Sequence, residues 1–287
     1  MRYRRAVIAR RHSVLGRLLD SAVDDEIRAR VARMGTPFNE LGYDSWGGSR
    51  LATERMLALS RWFYRTYFRT ETRGVELIPP GRVLLIGNHS SQLAYDGMVV
   101  AAAVALEGDP PRHVHAMVER FFAGQPFVNV FMARTGQQIG LPRHCERLLT
   151  RDEAAVLVFP EGARGGGKVF RDRYKIMGFG TGFMRIALRT RTPIVPFGFV
   201  GGEEMCPSFS EMKPLARLLG APYLPLTPTL LPLPLPARCY LRFGPPMRFE
   251  GVGDEADEVI GPMVADVEHT VAALIADGLE RREHIFF

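Results

Sequence analysis

The segment Ala154–Lys168, "AAVLVFPEGARGGGK", joins a short apolar run to a glycine-rich loop. An apolar run that is closed by proline and glycine is typical of a buried strand that ends in a turn. Similar runs occur in "RVLLIGN" from Arg82 and in "TPIVPFGFV" from Thr192, with helical patterns between them. This alternation predicts an α/β fold, namely a single domain with a mostly parallel mixed sheet flanked by helices.

The glycine-rich loop admits two interpretations. Residues Gly162–Lys168 match the G-x4-G-K spacing of a nucleotide-binding P-loop, but Val169 follows where that motif has a Ser or Thr hydroxyl for Mg²⁺. The second interpretation is an anion site of another kind. Arg164 can hold a phosphate through two parallel hydrogen bonds, and Glu161 can orient the ligand or accept a hydrogen bond from its hydroxyl. We favour the second interpretation because the P-loop pattern is incomplete.

A second polar segment, "GNHSSQLAYDG", follows the apolar run that ends at Ile86. His89 and Asp96 within it are the residue types of a general-base pair, in which the carboxylate fixes the imidazole tautomer. A continuous helix would separate the two by about 10 Å along its axis. We therefore expect His89 in a loop that folds back on a helix beginning near Asp96. No G-x-S-x-G nucleophile motif occurs, so the base must act on a hydroxyl of the substrate.

Four blocks of the sequence together resemble the glycerolipid acyltransferase superfamily, in particular its lysophosphatidic acid acyltransferase-like enzymes. The blocks stand in the family's order: "RGVELIPPGRVLLIGNHSS", "IGLPRHCERLL", "LVFPEGAR" and "YKIMGFGTGFMRIALRTRTPIVPFGF". The resemblance extends from about Arg73 to Phe249. The H-x6-D spacing departs from the family's usual H-x4-D and is similar to that of looser, diacylglycerol-acyltransferase-like branches.

The resemblance implies an activity and a set of site residues. The enzyme would transfer a fatty acyl group from acyl-CoA or acyl-carrier protein to a hydroxyl of a lipid acceptor, either lysophosphatidate-like or another glycerolipid. It implies no covalent enzyme intermediate, no tightly bound cofactor and no metal. The implied residues are catalytic His89 and Asp96, acceptor-binding Arg143, Glu161, Gly162 and Arg164, and Lys175 as a candidate for donor or phosphate binding.

The composition favours an anionic partner, because 37 basic residues face 31 acidic ones and give a net charge of +6. The helical pattern from Leu51 to Arg73 places aromatic residues beside Arg61, Arg65 and Arg69, as in helices that lie on a membrane surface. The alternative is a helix packed on the core with solvated arginines. The uncharged, proline-rich segment Leu218–Ala237 is a second candidate for membrane contact.

The predicted organisation has three parts. Residues 1–72 form a loosely packed basic leader and the interfacial helix, residues 73–250 form the acyltransferase domain, and residues 251–287 form an amphipathic helix that packs on it. We expect no signal peptide and no transmembrane helix, which predicts a peripheral protein on the cytoplasmic side of a membrane. Three widely spaced cysteines predict no disulfide and a reducing compartment.

Other classes of function remain open at this stage. A non-catalytic basic protein would bind membranes or nucleic acid through its surface charge, although we expect no nucleic-acid partner. A hydrolase would cleave thioesters without an acceptor, and a P-loop protein would bind nucleotides through Lys168. His113 and His115 share one face of a predicted strand, but no suitably spaced further ligand accompanies them.

Overall fold

A computed structural model describes residues 14–90, 94–211, 225–227 and 233–286. It contains a seven-stranded sheet in the order β1-β9-β6-β2-β5-β3-β4 and a separate two-stranded ribbon, β7-β8. The strands are β1 (Glu71–Arg73), β2 (Val83–Gly87), β3 (Val114–Val118), β4 (Gln138–Ile139), β5 (Ala155–Val158), β6 (Ile194–Val200), β7 (Ser210–Glu211), β8 (Pro225–Leu226) and β9 (Tyr240–Phe243).

The described α-helices are α1 (Val14–Ser21), α2 (Asp25–Arg33), α3 (Arg50–Trp62), α4 (Tyr95–Glu107), α5 (Arg120–Ala123), α6 (Val128–Arg134), α7 (Pro142–Arg151), α8 (Ala163–Gly166), α9 (Gly182–Thr190), α10 (Gly202–Met205) and α11 (Asp257–Arg281). A π-helical turn, Phe63–Tyr67, continues α3, and 3₁₀ turns lie at Val75–Leu77 and Phe170–Asp172.

The main sheet is parallel except for one pair. Strands β6, β2, β5, β3 and β4 run parallel, whereas β9 is antiparallel to β6 and parallel to β1. Every residue of β2 and of β6 is buried, as expected for strands that are covered on both faces. The predicted α/β fold with a mostly parallel mixed sheet is confirmed. Because parallel strands share their carboxyl edge, the loops after β2, β5 and β6 meet on one side of the molecule.

Helices cover the two faces of the sheet as separate layers. One core contains buried side chains of α2, α3 and α4 against Val83 and Leu85 of β2. The other contains side chains of α7, α9 and α11 against Leu84 and Ile86 of the same strand. The alternation of side chains along a strand produces this division. The helical layers hold the carboxyl edge of the sheet in place.

The leader is better packed than predicted. In α2, Ile27 and Val31 are buried in the same core as α3 and α4. Asp24 accepts a hydrogen bond from the Ile27 N–H and so caps the helix. The prediction of a loosely packed leader is therefore wrong for α2, because its apolar stripe has a core to enter.

The helix predicted to lie on a membrane is packed against the protein instead. Tyr64 and Phe68 are fully buried, and the helix gives way to β1 earlier than predicted. Arg61 forms ion pairs of 2.8 Å with both Asp24 and Glu26, so its charge is directed into α2 rather than toward solvent. Of its large apolar side chains, Trp62 stays half exposed. The alternative of a core-packed helix is thus the one observed.

Two arginines of the predicted basic stripe follow the same pattern. Arg65 pairs with Glu26 at 2.9 Å, and Arg69 donates a hydrogen bond of 2.6 Å to the carbonyl of Pro236. Arg65 keeps 48% of its side chain exposed, as the alternative interpretation assumed, whereas Arg69 is partly buried. Most of the proline-rich segment 218–237 lies outside the described residues, so its expected membrane contact stays a prediction.

The C-terminal helix α11 packs on the sheet, as predicted. Its buried residues, led by Ile260, Val267 and Val271, enter the core beside β6. Pro262 lies inside the helix, beyond its first turn. By length and composition α11 is also the one described helix that is long and apolar enough to cross a membrane, and 28% of its apolar stretch is buried. The expectation that no stretch meets this criterion is therefore wrong for α11.

Candidate active site

His89 and Asp96 meet at the carboxyl edge of β2. Two residues after that strand, the Nδ1 atom of His89 lies 2.7 Å from Oδ2 of Asp96. Helix α4 begins at Tyr95, so Asp96 stands in its first turn and His89 folds back onto it from the preceding loop. This is the loop geometry that we expected from the H-x6-D spacing. With Nδ1 directed at the carboxylate, Nε2 is the ring nitrogen left for a substrate.

Asp96 is fully buried and is held by several contacts. Its Oδ2 atom accepts a hydrogen bond of 2.8 Å from the Ser90 N–H, and its Oδ1 atom accepts one of 2.8 Å from the Gly97 N–H. These two hydrogen bonds fix the Asp96 carboxyl group beside the imidazole.

The His89 ring is largely buried, but part of its side chain remains exposed to solvent. It stacks on Phe159 with the ring centres 4.4 Å apart, and its side chain keeps 13% of its surface exposed. Burial by itself lowers the pKa of His89, but the carboxylates of Asp96 and Glu161 favour the imidazolium more strongly. The pKa is consequently raised above its ordinary value. The pair has the arrangement of a general base with an orienting carboxylate.

Glu161 faces His89 from the end of β5 and is almost fully buried. Its Oε1 atom accepts a hydrogen bond of 2.9 Å from the backbone N–H of His89, and its Oε2 atom accepts one of 2.7 Å from the Met177 N–H. Both oxygens are thus already bonded to the protein. We infer that Glu161 positions the His89 loop, which departs from the acceptor-binding role that the resemblance implied.

The buried side chain of Lys168 lies close to the carboxylate of Glu161. Its Nζ atom lies 3.5 Å from Oε2 of Glu161 and 3.6 Å from Oε1 of Glu203, and it donates to the carbonyl of Lys175. Burial raises the pKa of Glu203 to about 7, although Lys168 opposes the rise. With 2% of its side chain exposed, Lys168 cannot reach a nucleotide phosphate. The P-loop interpretation therefore fails.

The glycines of the loop serve close packing around His89. A Cβ atom on Gly165 would stand 2.9 Å from the Cβ of His89 and 2.7 Å from that of Glu161, which is closer than real side chains come. Gly162 has a φ of 57° and precedes α8, a conformation that glycine adopts readily. Sequence reasoning had noted the run of glycines but had missed Gly165.

A model of the family described as Acyltransferase matches residues 69–200, from the edge of β1 to the end of β6. Uncharacterized proteins of Mycobacterium tuberculosis (strain H37Rv) and of Mycobacterium bovis are each 35% identical to this chain over 264 residues, which is 87% of this chain and 71% of theirs. The matched family segment contains both His89 and the loop after β5. The chain belongs to the glycerolipid acyltransferase superfamily.

The fold of this acyltransferase agrees with the assignment. The crystal structure of the 1-acyl-sn-glycerophosphate (LPA) acyltransferase PlsC from Thermotoga maritima superposes with a TM-score of 0.53 and covers 82% of this chain and 83% of its own. Sequence identity between the two is 16%, so this likeness concerns the architecture.

The other predicted site residues of the acyltransferase lie apart from the His89–Asp96 pair. Arg164 on α8 is exposed and donates a hydrogen bond of 3.1 Å to the carbonyl of Gly178, so it stays beside the site loop. Lys175 is exposed and pairs with Asp172 at 2.8 Å. Arg143 stands in the first turn of α7 and lines a groove against α9. None of the three is hydrogen-bonded to His89 or Asp96.

His113, just before β3, and His115, within it, have structural contacts. The ring centres of His113 and His115 are 4.7 Å apart, and Nδ1 of His115 lies 2.7 Å from the carbonyl of Gly136. Burial lowers the pKa of His113 to about 3. Among the residues that the structure describes, no group of three or more His, Cys, Asp or Glu side chains is arranged to hold a metal ion.

Proposed function

We propose that this acyltransferase moves a fatty acyl group from a thioester to a hydroxyl of a glycerolipid acceptor, with His89 as general base. The observation that carries the proposal is the 2.7 Å contact between Nδ1 of His89 and the buried Asp96, on a side chain that keeps 13% of its surface exposed. A base of this kind contributes about 10²–10⁴-fold to a rate.

The proposed reaction needs no covalent enzyme intermediate. Nε2 of His89 takes the proton of the acceptor hydroxyl while its oxygen attacks the thioester carbonyl carbon. The tetrahedral adduct then collapses as the carbon–sulfur bond breaks, and the departing sulfur takes the proton from the His89 imidazolium. Asp96 keeps the imidazole in the required tautomer and stabilises the imidazolium while it exists.

Two further groups support this chemistry in the proposal. Glu161, held by Lys168, fixes the backbone at His89 and so keeps the base in place. Arg164 is a planar, exposed cation on the neighbouring loop and fits the phosphate of a lysophosphatidate-like acceptor. The donor in this proposal is acyl-CoA, with acyl-carrier protein as the alternative carrier.

The membrane contact of the proposal falls on a different element from the one expected. The Phe127 patch (Phe127, Val128, Val130 and Phe131) is exposed around α6, and Phe127 alone has 87% of its surface in solvent. Exposed apolar residues grouped in this way mark interaction sites. Arg120 of α5 adds a cation, and Glu119, just before it, would contact a side chain at Gly162. We propose that the patch, which follows α5 in the chain, contacts the bilayer that presents the acceptor.

The test is an analysis of reaction products. Purified protein is incubated with a pool of acyl-CoA species and a membrane lipid extract, and the lipids are examined by mass spectrometry. We expect a new acyl ester on one lipid class, formed in step with the release of CoA. Release of CoA without any acylated lipid would identify a hydrolase and overturn the proposal.

A further inference from the structure

Three buried charged side chains meet beside the proposed base. Glu161 follows β5, Lys168 lies in the loop after α8, and Glu203 stands in α10 after β6. Their side chains are 0%, 2% and 4% exposed, and the Lys168 Nζ atom lies 3.5 Å from Glu161 and 3.6 Å from Glu203. Replacing buried ion pairs by apolar residues is often neutral or stabilising, so stability alone does not account for this cluster.

The three side chains hold one segment of backbone, the site strap (residues 174–178). Each forms one hydrogen bond with it: the Tyr174 N–H donates to Glu203 Oε1 (3.1 Å), Lys168 Nζ donates to the Lys175 carbonyl (2.9 Å), and the Met177 N–H donates to Glu161 Oε2 (2.7 Å). Residues 175–178 have no helix or strand of their own. The position of the strap therefore depends in large part on these side-chain bonds.

The same cluster is connected to the base. The other oxygen of Glu161, Oε1, accepts a hydrogen bond of 2.9 Å from the His89 N–H, so one carboxylate joins the base to the strap. Helix α10 also packs on the loop of the base, because a Cβ atom on Gly202 would stand 2.1 Å from the Ser90 Oγ atom. A change at Glu203 can therefore reach His89 through groups that are in direct contact.

We propose that Glu203 is a positioning residue for the acyl-transfer reaction. It holds the Lys168 ammonium beside Glu161 and thereby keeps that carboxylate directed at the backbone of His89. The inference rests on the proposed function, since it adds a residue to the support of the same base. With 4% of its side chain exposed, Glu203 does not reach a substrate, so its effect passes through Lys168.

The charge of Glu203 is the property that this role requires. Burial raises the pKa of Glu203 to about 7; Lys168 and the Tyr174 N–H of the strap oppose the rise, and Glu204 of α10 adds to it. Among the described residues, none donates a hydrogen bond to its Oε2 atom. Because protonated Glu203 no longer attracts the Lys168 ammonium, the support of the base should weaken as the pH falls below about 7.

The test compares E203Q with E268Q in the full chain. Glutamine keeps the shape of Glu203 and an acceptor for the Tyr174 N–H but carries no charge. Glu268 of α11 accepts a hydrogen bond of 2.9 Å from the Phe179 N–H beside the strap, so E268Q makes the same change at a carboxylate outside the cluster. We expect kcat to fall about tenfold in E203Q with both KM values nearly unchanged, because the base is displaced while the substrate contacts remain. E268Q should keep the kcat of wild type.

A double-mutant cycle with K168M separates this role from a general effect on the fold. If Glu203 acts through Lys168, E203Q should change kcat by less than about twofold when K168M is already present. Circular dichroism on the same samples measures the folded fraction. A wild-type kcat in E203Q, an additive loss in the double variant, or a loss that only matches a loss of folded protein would overturn the inference.

A titration that needs no turnover keeps this test separate from the acyl-transfer proposal. The pKa of His89 is followed by NMR of labelled imidazoles, with its signal identified by H89A. Burial lowers this pKa and Asp96 raises it, and beyond these Glu161 raises it and Lys168 lowers it. E203Q leaves the Lys168 ammonium with less opposing charge, so the pKa of His89 should move downward. An unchanged pKa would overturn the inference, whereas the expected shift in a protein whose wild type transfers no acyl group would contradict the proposed function alone.

Discussion

At the residue scale, the position of His89 depends on a glycine that touches no substrate in the proposal. Gly165 leaves room for the Cβ atoms of His89 and Glu161, and the variant G165A would fill that room. We expect kcat to fall about 10- to 100-fold, because a displacement of about 1 Å costs that much in a catalytic site. Steady-state kinetics and circular dichroism on purified protein would measure activity and folding.

The matched control for this prediction is G182A. Gly182 opens α9, and a Cβ there would meet nothing within 4 Å. Alanine should be tolerated or slightly stabilising in a helix. Full activity in G165A, or an equal loss in both variants, would show that the close packing at His89 does not set the geometry of the base.

The raised pKa of His89 predicts the acid limb of the pH–rate profile. The base acts in its neutral form, so kcat/KM should fall as the pH drops through a pKa that lies above the ordinary value of about 6.5. In D96N the charge that most raises this pKa is gone, so the acid limb should move to lower pH while the maximal rate falls. An acid limb that keeps its position in D96N would contradict the role given to Asp96.

The residue types predicted the His89–Asp96 pair but not the direction of every side chain. A histidine after an apolar strand and an aspartate at a helix start suffice to infer a base and a fold-back loop. The orientation of Glu161 depends on the His89 N–H, which is 72 positions away in the sequence, so no local pattern could reveal it. Glu203 in α10, just after β6, could not be assigned to the site from its local sequence, because its partner Lys168 lies in a distant loop.

At the scale of elements, α3 shows that the spacing of arginines along a helix does not determine which face of that helix is exposed. Its arginines have the spacing of a membrane-facing stripe, yet α2 supplies Asp24 and Glu26 to meet Arg61. From the sequence alone, the apolar residues of α3 could be buried equally well in a bilayer or in the protein core. The presence of α2 decides between the bilayer and the core. We did not predict α2 because it lies in the Arg-rich N-terminal segment.

The Phe127 patch provides the prediction at this scale. The variant F127S/V130S/F131S removes three exposed apolar side chains, each of which is worth about 1.5–3 kcal/mol when fully buried. We expect flotation with anionic liposomes to fall by about 100-fold or more in partition, with the thermal unfolding temperature nearly unchanged. R61Q serves as the control, since Arg61 is paired with α2 and should not affect binding. Equal flotation of the triple variant and wild type would exclude this patch as the membrane contact.

At the scale of the whole molecule, the sequence predicted the layers but not their order. Uniformly apolar runs such as β2 and β6 indicate strands that are buried on both faces, and helical patterns between them imply a parallel sheet. The antiparallel β9 and the edge strand β1 depend on pairings between distant segments, which periodicity does not encode. Likewise, α11 passes a compositional test for a membrane span while one of its faces packs on β6.

The proposed catalytic edge depends on the whole fold rather than on one motif. His89 follows β2, Glu161 follows β5 and Glu203 follows β6, and these three strands are neighbours in the sheet. Lys168 joins the last two residues beneath the surface. The account therefore makes the base, its orienting carboxylate and its backbone support parts of one rigid edge.

The measurement that tests this account most directly is the stoichiometry of acyl transfer in wild type and H89A. With an acyl-CoA donor and the acceptor lipid found by product analysis, wild type should release one CoA for each ester formed and release almost none when the acceptor is left out. H89A should retain its fold and lose about 10²–10⁴-fold in turnover. Near-wild-type turnover by H89A, or CoA release by wild type without acceptor, would contradict the claim that His89 activates the acceptor hydroxyl.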